Sequence, residues 1–277
     1  PIDPYILGVI LGDGSIGKGI NITHPDDFIK CKVAERLTID MRVSDRKTAE
    51  NICPRYGIVR HSDYKVNTMI IKLKELGLYG KRAWEKYIPE MYLHASTAQR
   101  LALLQGLMDT DGTADTQGSS SFSSSSKALA EGVQYLVRSL GGIAKIRTRY
   151  PHYTHNGERK QGRQDFRVHI RHKRPEELFT LPKKQERTNN ANQYSPTLRL
   201  RITNIERIGL RQAQCIAIDH PEHLYITDDF IVTHNTSVLH ELSPLPADRT
   251  QYNKEGYKHI FIDHRGSQYE LKSTFSG

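Results

Sequence analysis

Two segments of the chain repeat one pattern, and this repeat constrains the fold more than any other feature. Residues 6–14 read ILGVILGDG and residues 104–112 read LQGLMDTDG. The first follows Asp3-Pro4, a favourable N-cap and first helical position, and the second follows Ser96–Gln99, which has the capping-box form. Both end in Asp-Gly, and glycine readily ends a helix. The repeat therefore predicts two equivalent helices in two pseudo-symmetric halves.

Each predicted helix carries two small residues four positions apart, which places them on one helix face. They are Gly8 and Gly12 in the first helix, and Gly106 and Thr110 in the second. A face of small residues lets a second helix backbone approach closely. If the two helices pack through these faces, their final acidic residues, Asp13 and Asp111, lie next to each other.

The pairing of Asp13 with Asp111 has a chemical consequence. Two carboxylates at close range repel each other unless a cation lies between them. Mg²⁺ binds a few carboxylates together with water and phosphate oxygens, and such a site supports phosphodiester hydrolysis. A single Asp-Gly is more simply explained as a helix stop, but two in the same context favour a functional site.

The composition favours a polyanionic partner and argues against some classes of protein. The 277 residues carry a net charge of +9, which favours nucleic acid, although solubility alone explains the charge equally well. No apolar run is long enough to span a membrane. The three cysteines fit neither a disulfide framework nor a zinc site, so a reducing, cytoplasmic setting is expected.

Alternating charged and apolar residues predict two strands, over residues 143–149 and 165–172, that carry cations on one face. We interpret them as a DNA-binding surface repeated in each half, although a solvated edge strand is an alternative. The cations are Lys145, Arg147 and Arg149 in the first strand, and Arg167, His169 and Arg171 in the second.

Periodicity assigns several other segments. Residues 29–37 and 127–140 are predicted to be helices, whereas residues 58–61 and 69–73 are predicted to be strands. The serine-rich stretch 113–125 is either a flexible linker or a strand whose hydroxyls face a nucleic acid.

The two Asp-Gly helices resemble the paired motifs of LAGLIDADG homing endonucleases, over roughly residues 1 to 190. The resemblance implies an α+β domain over residues 1–195. Its αββαββα halves, about 1–93 and 94–195, would form a saddle over double-stranded DNA with a long recognition site. It also implies a monomer that uses Mg²⁺ or another divalent cation to hydrolyse both DNA strands.

The same resemblance assigns roles to individual residues. Asp13 and Asp111 would bind the metal, and the backbone carbonyls of Gly12 and Thr110 would also contact it. Lys86, in a segment KYIP similar to that of intein endonucleases, would be a catalytic lysine. Lys184 is the candidate in the second half, although an ordinary surface lysine explains it more simply.

The pattern of residues changes at about residue 196. Short β-rich runs over residues 196–235 predict a small all-β segment that cannot hold a core alone. It ends in His234-Asn235-Thr236. An asparagine side chain can attack its own following carbonyl and cut the chain, and a nearby histidine can supply the proton. Thr236 then offers a hydroxyl nucleophile.

This segment resembles the C-terminal splicing part, of Hint type, of inteins. The resemblance implies that Asn235 cyclises, assisted by His234 and His223, and that Thr236 is the first host (extein) residue. Cys215 is reminiscent of inteins that use an internal cysteine as first nucleophile, although it also suits a small buried hydrophobe. The N-terminal splicing segment is expected to be supplied from outside these residues, and we expect no splicing without it.

Residues 236–277 are then expected to be host sequence. Joined to an upstream Gly-Lys, they would read as the start of an ATPase phosphate loop.

Two other functions remain open. One is a LAGLIDADG protein that binds DNA or RNA without cutting it. The other is an ATPase fragment, which the sequence disfavours because it contains no phosphate loop of its own.

Overall fold

The structure is a computed structural model, and it divides into two units, residues 1–198 and 199–277. It describes residues 1–46, 53–116, 119–155, 157–189, 198, 204–207, 221–222, 224–234, 261–262 and 268–272. Within this described part, no helix is long and apolar enough to cross a membrane.

The first half of unit 1 begins with the predicted helix. The Asp3 side chain caps it by accepting a hydrogen bond from the Ile6 amide (3.1 Å), and Pro4 occupies the first turn. The elements of this half are α1 (Pro4–Asp13), β1 (Gly14–Ser15), β2 (Ile20–Thr23), α2 (Asp27–Arg36), β3 (Met41–Arg46), β4 (Arg55–Arg60) and α3 (Thr68–Glu75), followed by the short α4 (Glu90–Leu93).

One prediction for this half is wrong, because residues 69–73 lie in helix α3 rather than in a strand. The Asn67 side chain caps this helix by accepting from the Ile70 amide (3.1 Å). Met69 and Leu73 are four positions apart and both buried, so the apolar run is one face of a helix.

The second half repeats the same order of helices and strands. Its elements are α5 (Thr97–Asp111), β5 (Gly112–Ala114), β6 (Ser120–Ser124), α6 (Lys127–Ser139), β7 (Ile143–Arg149), β8 (His152–His155), β9 (Glu158–Gln161), β10 (Asp165–Arg171) and α7 (Pro182–Asn189). The hairpin β8–β9 is inserted between the last two strands of its sheet. Part of the serine-rich stretch forms β6, which agrees with the strand alternative.

The two sheets are antiparallel and have the same topology. Their strand orders are β1-β2-β4-β3 and β5-β6-β10-β7. In each, α-helices cover one face, and the alternation of buried and exposed residues leaves the other face polar. In the second sheet, for example, Val168 and Ile170 are buried whereas His169 and Arg171 are exposed.

Helices α1 and α5 pack against each other at the centre of this unit. Every residue of α1 from Tyr5 to Leu11 is buried. Gly8 lies against α5 so closely that a Cβ added there would stand 2.9 Å from the Leu107 amide nitrogen. A Cβ added at Gly106 would stand 2.9 Å from the Val9 amide nitrogen. The predicted contact through small residues is therefore present, with Gly8 and Gly106 at its centre.

Unit 2 contains short antiparallel strands. Strand β12 (Leu224–Ile226) pairs with β13 (Val232–His234) across the turn at Asp228–Phe230. Strand β11 (Asn204–Glu206) pairs with β15 (Gln268–Lys272), which also pairs with β14 (Phe261–Ile262). Asp229 and Phe230 have positive φ angles of 63° and 61°, so the turn uses left-handed backbone at two non-glycine residues.

We expect Gly106→Ala to destabilise unit 1 by about 3 kcal/mol, because the new methyl group overlaps the backbone of α1 and the helices must separate. The free energy of unfolding in urea measures this loss. Gly17→Ala is the matched control, since a Cβ there meets nothing within 4 Å, and its effect should stay within about 0.5 kcal/mol. Equal stability of the two variants would contradict the close helix contact.

Candidate active site and nucleic-acid interface

The two acidic residues occupy equivalent helix ends. Asp13 is the last residue of α1 and Asp111 is the last residue of α5. The glycine after each donates its amide to a carbonyl four residues back, Gly14 to Ile10 and Gly112 to Met108. These glycines have extended rather than left-handed backbone (φ −81° and −82°), so each helix passes directly into a strand.

The two helix ends are adjacent. A Cβ added at Gly12 would lie 2.8 Å from Thr110 Cβ and 3.4 Å from a carboxylate oxygen of Asp111. Glycine at position 12 therefore allows the last turn of α1 to reach the last turn of α5. The structure thus brings Asp13, Asp111, Gly12 and Thr110 into one small region.

The carboxyl groups of this region influence each other. Burial and the neighbouring charge of Asp13 together raise the pKa of Asp111 to about 6, although the charges of Lys86 and Lys184 act to lower it. Burial also raises the pKa of Asp13, while the charges of Lys184 and Lys86 lower it. These pKa shifts are expected when two carboxylates lie close together in a partly buried site. Added positive charge stabilises their ionised forms.

Lys86 is buried and binds the end of α1. Its ammonium donates to four backbone carbonyls, those of Ile10 (3.0 Å), Leu11 (2.9 Å), Gly12 (3.1 Å) and Gly14 (2.7 Å). Carbonyls at a helix C-terminus have no partner within the helix and carry partial negative charge. A buried ammonium is therefore a favourable cap for this helix end.

Lys184 binds the end of α5 in the same way. Its ammonium donates to the carbonyls of Met108 (2.9 Å), Asp109 (2.7 Å), Thr110 (3.3 Å) and Gly112 (2.6 Å). The surface-lysine interpretation of Lys184 is therefore wrong. Sequence reasoning had no means of finding this contact, because Lys184 follows the carbonyls it binds by more than seventy positions.

The two ammonium groups lie in the field of the acidic pair. Burial lowers the pKa of Lys86 to about 8, while the charges of Asp111 and Asp13 favour its protonated form. Burial lowers the pKa of Lys184, whereas the negative charges of Asp109, Asp13 and Asp111 act to raise it. The carbonyls of Gly12 and Thr110, predicted to contact a metal, accept from these lysines, and their metal contact stays a prediction.

Asp109 was not identified from the sequence, yet it organises the second half of the site. It is fully buried, and its carboxylate accepts from Tyr5 Oη (2.9 Å) and from the amides of Thr180 (2.8 Å) and Leu181 (3.0 Å). The Thr180 hydroxyl also donates to it. This network joins α1 and α5 to the segment that leads into α7, and so it places Lys184.

His24 is a second residue that the sequence did not reveal. Its Nε2 lies 3.9 Å from Asp13, and its Nδ1 accepts from the Asp26 amide (3.0 Å). Burial lowers the pKa of His24. At the equivalent position of the second half, the Ser124 hydroxyl accepts from the Ser126 amide (3.1 Å), so the histidine belongs to the first half alone.

The six predicted DNA-binding residues lie in one sheet. Strands β7 and β10 are neighbours, with Arg147 opposite Arg167 and Lys145 opposite His169. Both strands belong to the second half, as expected, and they form one cationic sheet face there. Their role in DNA binding stays a prediction. Arg149 and Arg171 complete the face, and Arg149 forms an ion pair with Asp165 (2.5 Å).

The first sheet has its own cations, which the sequence analysis did not single out. Arg42, Arg46 and Arg55 are exposed and lie by register on one face of this sheet, and Arg46 lies opposite Arg55. The guanidinium of Arg46 lies over Gly57, where an added Cβ would stand 2.7 Å from Nη2. Glycine at position 57 thus allows an arginine to lie flat on the polar face of this sheet.

The donor set at the helix ends suits a hard divalent cation. Among the described residues, no group of three or more histidine, cysteine or acidic side chains is arranged to hold a metal. Asp13 and Asp111 instead supply two carboxylates, and Mg²⁺ commonly completes such a pair with water and substrate phosphate oxygens. The residues present therefore fit the expected cation.

The splicing residues fall largely outside the described part of the chain. His223, Asn235, Thr236 and Cys215 are not among the described residues. The backbone of His234 ends strand β13, where it pairs with Leu224. The roles assigned to these five residues stay predictions.

We expect Lys86→Met and Lys184→Met each to reduce the stability of unit 1 by about 3 kcal/mol, because each leaves several buried carbonyls without a donor. Thermal and urea unfolding measure the loss. Lys183→Met is the matched control: this lysine neighbours Lys184, its side chain is 82% exposed, and its ion pair with Asp26 contributes at most about 1 kcal/mol. A loss at Lys183 as large as that at Lys184 would contradict the capping role.

Comparisons with known proteins found a sequence relative, solved structures and a family model. A curated replicative DNA helicase DnaB from Mycobacterium intracellulare is 27% identical over 244 residues, which is 86% of this chain. The chain spans about a third (35%) of that relative's length.

Solved structures of the homing endonuclease I-DmoI are also similar. Its complex with DNA and Ca is 15% identical, with 66% of this chain and 94% of that chain covered and a TM-score of 0.41. Mesophilic variants of the same enzyme are 15% identical, with 69% and 95% covered and a TM-score of 0.38. The family model of the LAGLIDADG-like domain matches residues 98–208. This match includes the acidic helix α5 and the second sheet.

Proposed function

We propose that unit 1 is a site-specific endonuclease that binds double-stranded DNA across its two polar sheet faces and cuts both strands. The observation that carries the proposal is the adjacency of Asp13 and Asp111 at two helix ends. Each helix end leads into the edge strand of a sheet with arginines on its polar face. The match of residues 98–208 to a LAGLIDADG-like domain supports it.

The cationic faces are proposed to bind the phosphate backbone. Arginine and lysine neutralise phosphates and release counterions, which gives affinity without sequence selection. The second sheet presents Arg147, Arg167 and Lys145 in adjacent register, and the first presents Arg46 and Arg55. Each sheet would then hold one half of a long DNA site.

Asp13 and Asp111 are proposed to hold the divalent cation between them. When bound, the cation supplies Lewis-acid stabilisation of the phosphate and a lower pKa for an attacking water. The chain's own residues supply position and charge. Lys86 and Lys184 fix the last turn of each helix and place positive charge beside the carboxylates, where negative charge develops on the reacting phosphate.

The C-terminal part is proposed to be the C-terminal splicing segment of an intein. The hairpin β12–β13 brings the backbone at His234, next to Asn235, opposite Leu224, the residue after His223. This pairing supports a role for both histidines at one bond. The similarity to part of a longer helicase chain is also what a segment inserted in a host protein would give. The protein is proposed to act as an intracellular monomer.

We expect Asp13→Asn and Asp111→Asn each to reduce the rate of DNA cleavage by at least about a hundredfold, because each removes a carboxylate that holds the cation. The assay is conversion of a plasmid that carries the uninterrupted host gene, in Mg²⁺, with nicked and linear products separated on a gel. Asp63→Asn, in an exposed loop, is the matched control.

The same assay separates the two main functions. Cleavage by both aspartate variants at the wild-type rate would refute the assignment of the acidic pair. Tight DNA binding without cleavage by the wild-type chain would support the alternative, a LAGLIDADG protein that binds nucleic acid without cutting it.

We expect Asn235→Ala to prevent chain cleavage before Thr236, because the amide that attacks its own carbonyl is gone. Intact-mass spectrometry of the purified chain after incubation measures release of residues 236–277. The wild-type chain should release this fragment slowly and should not splice without an added N-terminal segment. Release at the wild-type rate from Asn235→Ala would show that the cut is not made by asparagine cyclisation.

A further inference from the structure

A cavity of about 540 Å³ lies at the β5 edge of the second sheet. Its lining begins at Thr113, two residues after Asp111, and includes the hydroxyl residues Thr116, Ser119 and Ser121. By register, Thr113 lies opposite Ser121, and Ser121 lies opposite His169. The cavity therefore continues the polar face of the sheet away from the acidic pair.

Two arginines reach the cavity from different elements. Arg167 comes from β10, and its guanidinium is fixed by two hydrogen bonds from Nε (3.2 Å) and Nη2 (2.9 Å) to Ser121 Oγ. Arg187 comes from the last turn of α7 and is exposed. Lys184 of the same helix binds carbonyls at the end of α5. The backbone that carries Arg187 is therefore held in place.

The charge balance of the cavity favours an anion. Asp115 also lines it, and its amide donates to the Ser119 carbonyl (2.9 Å) at the base of the β5–β6 turn. Two guanidiniums thus face one carboxylate. His169 also lines the cavity, and partial desolvation and the charges of Arg147, Arg167 and Arg149 lower its pKa. Guanidinium and hydroxyl groups together are the ligands that phosphate oxygens prefer.

We infer that this cavity seats a backbone phosphate of the DNA strand that passes Asp111. The inference rests on the proposed function and adds a subsite to it. The cavity begins two residues beyond Asp111, so the seated phosphate lies on the same strand close to the acidic centre, and Arg187 fixes where the strand leaves that centre.

The test uses the full chain and a labelled duplex of arbitrary sequence, with no divalent cation. Affinity is measured by fluorescence anisotropy from about 50 to 200 mM salt, where each phosphate contact contributes about 0.9 to the slope of log affinity against log salt. Loss of one contact in Arg187→Ala should reduce the slope by about 0.9, so that the wild-type affinity falls about 3.5-fold more over this range than that of the variant.

Three further variants give the inference its controls. Arg187→Lys keeps the charge and should restore the slope. Ser121→Ala removes the anchor of Arg167 without changing any charge, so affinity should fall while the slope stays the same. Lys127→Ala removes an exposed cation of α6, the helix that covers the opposite face of this sheet, and should change neither quantity.

The outcomes separate the subsite from the function it extends. Wild-type binding with an unchanged slope in Arg187→Ala would overturn the subsite and leave the DNA-binding proposal standing. Absence of salt-sensitive DNA binding by the wild-type chain would overturn both. A reduced slope in Lys127→Ala equal to that in Arg187→Ala would also reject the subsite, because the effect would then reflect net charge alone.

Discussion

The contact between α1 and α5 is the interaction on which the rest of unit 1 depends. Two glycines, Gly8 and Gly106, remove the side chains that would keep the helices apart. The close approach concentrates negative charge, because two helix C-termini of about −0.5 each meet two carboxylates. The buried ammoniums of Lys86 and Lys184 offset about two of these three charges. The remaining negative charge is consistent with the proposed binding of a divalent cation at this place.

The sequence predicted the parts of the site that depend on local chemistry. Capping residues, small-residue spacing and the Asp-Gly ends identified both central helices and placed Asp13 and Asp111 together. It did not predict features that depend on distant neighbours. Residues 69–73 form an apolar run that suits strand or helix, and the burial of Met69 and Leu73 in the core selects the helix. Likewise, only tertiary pairing shows that β7 and β10 share one sheet.

The two halves share a framework but differ in chemistry. In the first half, His24 lies two positions before the N-cap of α2 and approaches Asp13, whereas Ser124 takes the equivalent position in the second half. The second sheet also has the inserted hairpin β8–β9, and Arg163 just after it stacks on Trp84 of the first half at 3.8 Å from the ring centre. The repeat therefore gives both halves the same framework of helices and strands, while the side chains and the inserted hairpin make their surfaces different.

Each half also supplies a contact to the other. The Ser126 hydroxyl, which caps α6, donates to the Lys86 carbonyl (2.6 Å), while Lys183 reaches Asp26, the cap of α2 (3.1 Å). Both contacts adjoin the lysines that bind the central helix ends. Each of these contacts joins a residue of one half to a residue of the other. A half that is transplanted into a related protein therefore provides only one of the two partners of each contact. Recombination between such proteins must exchange the N-cap residues and the lysine segments together if the junction is to keep its hydrogen bonds.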